Sequence, residues 1–248
     1  MKSYTYEDNF FANEDHLALK SAKIIVPYIL KHIKLKSVLD VGCGSGSWLY
    51  VFQKYGIKKI CGLDSHREYK YIRISRDYFK YQNLENRIEI KEKFDLAVSL
   101  EVAEHISRSQ SQRFVDDLCR GSNIIIFSAA TPGQGGENHI NENNLDYWRN
   151  LFKNNDYYPY DVLRKTFNSN YSIAPWYRFN TLIYANKEGC SNMSYTFLKE
   201  YIPERESIKS YESFLWKLRR LIFRLFPNSF VTTLSKLNTL FINFLRSI

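Results

Sequence analysis

Two apolar rhythms alternate along the chain. Short continuous runs, rich in Val, Ile and Leu, predict buried strands over 38–41, 59–63, 78–84, 94–100, 124–129, 160–163 and 181–185. Between them, apolar residues three and four apart predict amphipathic helices over 14–32, from Trp48 to near Gly56, over 109–120 and over 145–152. Pro27 inside the first helix predicts a kink or a break. Short strands alternating with helices predict an α/β fold with a doubly wound sheet.

The stretch at the end of the first strand organises the rest. Residues 37–48 read SVLDVGCGSGSW, with Gly42, Gly44 and Gly46 at alternate positions. Glycine accepts positive φ and lets a ligand approach the backbone, so this is a strand, a tight loop and a helix start. The third glycine comes one residue too early for G-x-G-x-x-G, and no Gly-Lys-Ser/Thr follows, which excludes a P-loop. Asp40 precedes the loop. Asp64, 24 residues later, ends the second strand, where a carboxylate can accept both hydroxyls of a ribose or cap a following helix.

With Asp40 ahead of GxGxG, this stretch resembles the first motif of the class I S-adenosylmethionine-dependent methyltransferases. The resemblance covers about residues 20–186. It implies a Rossmann-like, seven-stranded, mostly parallel sheet whose last strand is antiparallel. S-adenosylmethionine is the implied cofactor, with Asp40, Gly42, Cys43, Gly44, Gly46 and Trp48 lining the first motif, Asp64 on the ribose, and Leu100 and Glu101 beside it. Asn83, with Gln82 next to it, stands where family members usually carry an acid or amide for the adenine amino group.

A second motif follows the fourth strand. SLEVAEHI places Glu101, Glu104 and His105 at i, i+3 and i+4, on one side of a helical turn. Two carboxylates and an imidazole suit a divalent ion or general-base work. The small-RNA 3′-end 2′-O-methyltransferases use a similar ExxEH plus a further histidine to hold magnesium. His139, in the glycine-rich loop 130–142, is the candidate here. Two roles stay open: His105 or His139, with Glu104, as catalytic groups, or Glu101, Glu104, His105 and His139 as ligands of a magnesium or manganese ion. The same loop is the expected acceptor site. SAATPGQGGENHINE, with YWRNLF and APWYRFN, resembles a bacterial subgroup often associated with surface-polysaccharide gene clusters, so a small-molecule or glycan acceptor is expected. Trp176, Tyr177 and Arg178 are either a sugar-contacting cluster or edge packing.

Composition sharpens the ends of the chain. The N-terminus is polar and acidic, unlike a signal peptide, and the four cysteines have no CxxC spacing; both fit a cytoplasmic protein with reduced thiols. The formal charge is +9. From Tyr211 onward six Lys/Arg face a single acid, Glu212, so over half of the excess lies in the tail. This predicts a methyltransferase domain over 1–186 and a basic helical extension over 187–248. Its first apolar face is Tyr211, Phe214, Leu215, Leu218, Ile222 and Leu225; a second repeats from Phe230 to Ile248. Such faces pack on their own domain, on a second subunit, or peripherally on the inner membrane. Nucleic acid is the least favoured partner, because no basic stripe lies near the catalytic end. The rival readings are a metal-dependent RNA ribose 2′-O-methyltransferase and a non-catalytic S-adenosylmethionine-binding or membrane scaffold.

Overall fold

The computed structural model describes residues 8–66, 72–226 and Thr233. The second expected tail face, Phe230 to Ile248, lies outside the described residues.

Apolar runs become the sheet's interior. β1 (Ser37–Val41), β4 (Leu96–Leu100) and β5 (Ile124–Ser128) are buried at every position, as strands covered on both faces must be. β2 (Lys59–Asp64) lies beside β1, and β3 (Phe79–Tyr81) forms the edge. With β6 (Tyr158–Tyr160) and β7 (Leu182–Ala185), the order is β3-β2-β1-β4-β5-β7-β6. The first five strands are mutually parallel, and β7 runs antiparallel to both β5 and β6. This is the expected doubly wound, Rossmann-like sheet.

Alternate residues of β1 feed two cores. Val38 packs with α1 (Asp8–His32) and α2 (Ser47–Lys54); Leu39 and Val41 pack with α3 (Ser111–Gly121) and α4 (Leu145–Lys153). From the central pair β1 and β4 the order grows outward in both directions, so the crevice for a ligand lies at their C-terminal tips.

Several elements differ from the sequence expectation. α1 runs through Pro27 without a break, because fully buried Val26 and Ile29 hold it on the core while Pro27 removes only one donor. β3 is three residues, not seven; beyond it Asn83 closes a turn by accepting from the Glu85 N–H. The expected strand over 160–163 ends at Tyr160. The chain turns at Asp161 into α5 (Val162–Phe167), where Asp161 pairs with the fully buried Arg164 at 2.7 Å.

Trp176, Tyr177 and Arg178 lie on α6 (Pro175–Asn180) as packing residues. Tyr177 meets Trp48 edge to face, and the Arg178 guanidinium sits over the Tyr171 and Phe179 rings and donates to the Asn168 carbonyl. The packed core also continues past Asn186. After α7 (Lys187–Cys190), Met193 and Ile202 are buried, as is Phe197 on α8 (Tyr195–Leu198). α9 (Phe214–Phe223) follows.

Candidate active site

The glycine loop leaves β1 by a close turn in which the Gly42 and Cys43 N–H groups both donate to the Leu63 carbonyl. All three glycines have positive φ, but for different neighbours. A Cβ on Gly42 would meet Val102 at 2.2 Å, and one on Gly46 would meet Ile74 at 2.9 Å. A Cβ on Gly44 would meet nothing within 4 Å, so Gly44 alone borders open space. Cys43 and Trp48 are core residues beneath the loop, and Leu100 is buried at the end of β4.

Two carboxylates flank this space. Asp64 accepts from the Gly44 N–H and the His66 N–H, each at 2.8 Å, which fixes its side chain at the β2 tip. Asp40 is buried with Oδ2 unpartnered, and burial, then the charge of Asp64, raises its carboxyl well above the usual range. An open glycine, an acceptor at the strand tip and a buried carboxyl group with one unpartnered oxygen fit a nucleoside that also carries a positive charge. S-adenosylmethionine has that chemistry. Asn83 is exposed, and its carbonyl oxygen is already used in the Glu85 turn.

Asp15, which sequence reasoning missed, braces the loop from α1. It accepts hydrogen bonds from Ser45 and Ser47 and a bidentate pair from Arg73. Burial alone would raise its carboxyl, but these donors bring it below the usual value. Its helix carries no motif, so only the tertiary fold shows the role.

ExxEH does not form an α-turn. Glu101 sits at φ 57°, a conformation non-glycine residues rarely adopt, and residues 103–105 make a 3₁₀ turn. The set is therefore split. Glu101 turns to Gln134 Nε2 (2.6 Å), while Asn180 bridges to Gln134 Oε1 (2.8 Å). Glu104, His105 and His139 instead converge, each offering a ligand atom within 4.8 Å of the other two. Gln134 and Asn180 lie within the SAATPGQGGENHINE and APWYRFN segments, but nothing in those segments assigned either side chain to Glu101.

Glu104 is fully buried, and neither carboxylate oxygen makes a well-formed hydrogen bond. Burial, then repulsion from Glu101, pushes its carboxyl well up. Burial and neighbouring His139 hold the His105 imidazole down, to about 3. Its Nδ1 faces the Asn138 carbonyl at 3.1 Å, and a carbonyl only accepts, so Nδ1 carries the proton and Nε2 is the basic nitrogen.

The loop holding His139 is tied down by Glu142. Its carboxylate accepts from Gly133 N–H (2.7 Å), Gly135 N–H (2.9 Å) and His139 Nδ1 (2.9 Å). Burial would raise the Glu142 carboxyl, but His139 and the two amides bring it below its usual value. A carboxylate only accepts, so Nδ1 of His139 carries a proton, and in the neutral ring Nε2 is the basic nitrogen. Gly136 makes room for that ring; a Cβ there would lie 2.2 Å from Nε2. Ile140 and Asn141 donate their N–H groups to the Glu104 carbonyl, joining the loop to the ExxEH segment.

A family model described as a methyltransferase domain matches residues 15–160, more than half of the chain. Magnesium protoporphyrin IX methyltransferase (ChlM) from Synechocystis PCC 6803 with bound SAM superposes at a TM-score of 0.52 and 15% identity, over 75% of this chain and 87% of that one. A S-adenosylmethionine-dependent methyltransferase from Clostridium acetobutylicum ATCC 824 does so at 0.50 and 13%, over 66% and 89%. At such identities the likeness is one of fold. No curated protein sequence matches the chain. The family match and the fold together place the chain in the methyltransferase-domain family, as a methyltransferase of the class I, S-adenosylmethionine-dependent fold.

Proposed function

We propose that the chain methylates a hydroxyl oxygen of a saccharide, or of a phosphorylated precursor of a cell-surface glycan, with His139 as general base. S-adenosylmethionine, when bound, supplies a methyl group already activated on sulfonium. The chain must then align the acceptor and remove its proton. His139 suits the second task, because Glu142 fixes its tautomer and would stabilise the imidazolium formed. That pairing, beside the crevice end of β4, is the observation that carries the reading.

Support for a polar acceptor comes from a cavity of about 330 Å³ lined by His139, Asn141, Glu142 and Arg108. Hydroxyls would find donors and acceptors there, and Arg108 could meet a phosphate. Transfer of label from methyl-labelled S-adenosylmethionine into cell-envelope extracts, with mass spectrometry of the product, tests the acceptor. His139→Ala should lower turnover by about 100-fold or more. Undiminished turnover would remove His139 as the base.

A second reading uses the same residues as ligands. Glu104, His105 and His139 would hold a magnesium or manganese ion, which lowers the pKa of a coordinated hydroxyl. The convergence of three ligand atoms and the orphaned Glu104 carboxylate favour it. Full turnover in excess chelator, unchanged by added magnesium or manganese, would exclude this version and leave the base.

A further inference from the structure

α9 docks by the side that an amphipathic helix usually turns to water. At 3.6 residues per turn, Trp216, Arg219, Arg220 and Phe223 share one side. Arg219 donates to the Gln134 carbonyl (2.6 Å), Arg220 donates to the Pro132 carbonyl (2.8 Å), and Trp216 meets Phe179. Phe214, Leu215, Leu218, Leu221, Ile222 and Leu225 share the opposite side. All six are exposed, Leu215 by 75% and Leu225 by 77%. A contiguous apolar stripe of this kind marks an interaction surface.

We infer that α9 is an interfacial helix whose outward stripe lies on an anionic lipid surface. Charge selects this occupant. Residues 213–226 hold four cations, Lys217, Arg219, Arg220 and Arg224, and no acid. Lys217 and Arg224 are exposed at one border of the stripe, where their ammonium and guanidinium groups would meet lipid phosphates. A second copy packed on the same face would set these cations against their own duplicates. The sequence of 227–248 adds Lys236 and Arg246, again without an acid. Among the described residues no helix is long and apolar enough to cross a membrane, and ten-residue α9 can only lie along a surface.

This placement bears on the acceptor. Phe223, Arg224 and Phe226 form one wall of the cavity whose other wall carries His139, Asn141 and Arg108. If that cavity is the acceptor site, as proposed above, an acceptor with a lipid tail in the same surface would present its phosphorylated head beside His139, between Arg108 and Arg224.

The test is co-sedimentation of the full-length protein with phosphatidylcholine vesicles, with and without phosphatidylglycerol, at low and high salt. Binding is expected only with phosphatidylglycerol and should weaken with salt. The variant Leu215→Ser/Leu221→Ser/Leu225→Ser should bind about tenfold more weakly or worse, with little change in melting temperature, since these side chains are mostly exposed. Equal binding by wild type and variant would overturn the proposal by assigning the contact to 227–248. So would a dimer that the variant loses while neither protein binds vesicles. The vesicle result stands whether or not any extract accepts methyl groups, so the two proposals fail separately.

Discussion

Gly42, Gly44 and Gly46 look interchangeable in the sequence, yet only one faces free space. Gly44→Ala adds a methyl group at φ 54°, a left-handed conformation costing about 1 kcal/mol for a residue with a Cβ, and directs it into the proposed donor site. We expect a melting shift of a few degrees and a fall of about tenfold or more in S-adenosylmethionine affinity by calorimetry. Gly42→Ala drives a Cβ into Val102 and should destabilise the fold by several kcal/mol. Unchanged affinity in Gly44→Ala would show that the donor does not approach this loop. The spacing of the glycines was legible; which of them borders a ligand was not, because Val102 and Ile74 reach the loop from segments distant in sequence. Glu104 offers a pH test. Its raised carboxyl keeps a proton in the folded state after the unfolded chain has lost its own, so stability falls as pH rises above the ordinary value of 4.5. Glu104→Gln lacks that slope. In chelator, urea melts should therefore show the variant gaining on wild type as pH rises above about 4.5, by at most about 1.4 kcal/mol per pH unit. A constant difference would mean that Glu104 titrates normally.

Elements were legible where burial alone decides them. β1, β4 and β5 are continuous apolar runs in the sequence and fully buried strands in the fold. β3 is an edge strand with exposed positions, so its ends carry no apolar boundary. The 160–163 stretch has the apolar pair Val162 and Leu163, which serve a helix as well as a strand. The Asp161–Arg164 pair, spaced one turn apart, settles it as α5. ExxEH spacing implied one helical face, but the left-handed Glu101 backbone divides the motif, sending Glu101 to Gln134 and Glu104 toward the histidines. Such a backbone exception leaves no trace in residue spacing. The 130–142 segment was legible as a loop. Its order was not, because it depends on Glu142 gathering two glycine amides and a histidine across the turn.

At the scale of the molecule, the tail is part of the site's frame. Its amphipathic period was readable in the sequence, but its orientation was not, since carbonyls exposed by a distant loop decide which face docks. Arg219 and Arg220 close over the Gln134 and Pro132 carbonyls, and the α9 backbone crosses so near Gly133 that a Cβ there would lie 2.4 Å from the Arg220 carbonyl oxygen. Each charged hydrogen bond of this kind contributes about 1.5–3 kcal/mol. Together they oppose opening of the loop that presents His139. Arg219→Ala/Arg220→Ala should therefore leave S-adenosylmethionine affinity unchanged, because the glycine loop and Asp64 lie on other segments. Hydrogen exchange at the Gly133 and Gly135 amides, which are bonded to Glu142, should quicken as the loop opens more often. With an identified acceptor, KM should rise more than kcat falls, since the lost contacts order the loop and do not touch the reacting atoms. Unchanged exchange at both glycines would show that the loop is held by Glu142 alone and that α9 merely rests on it.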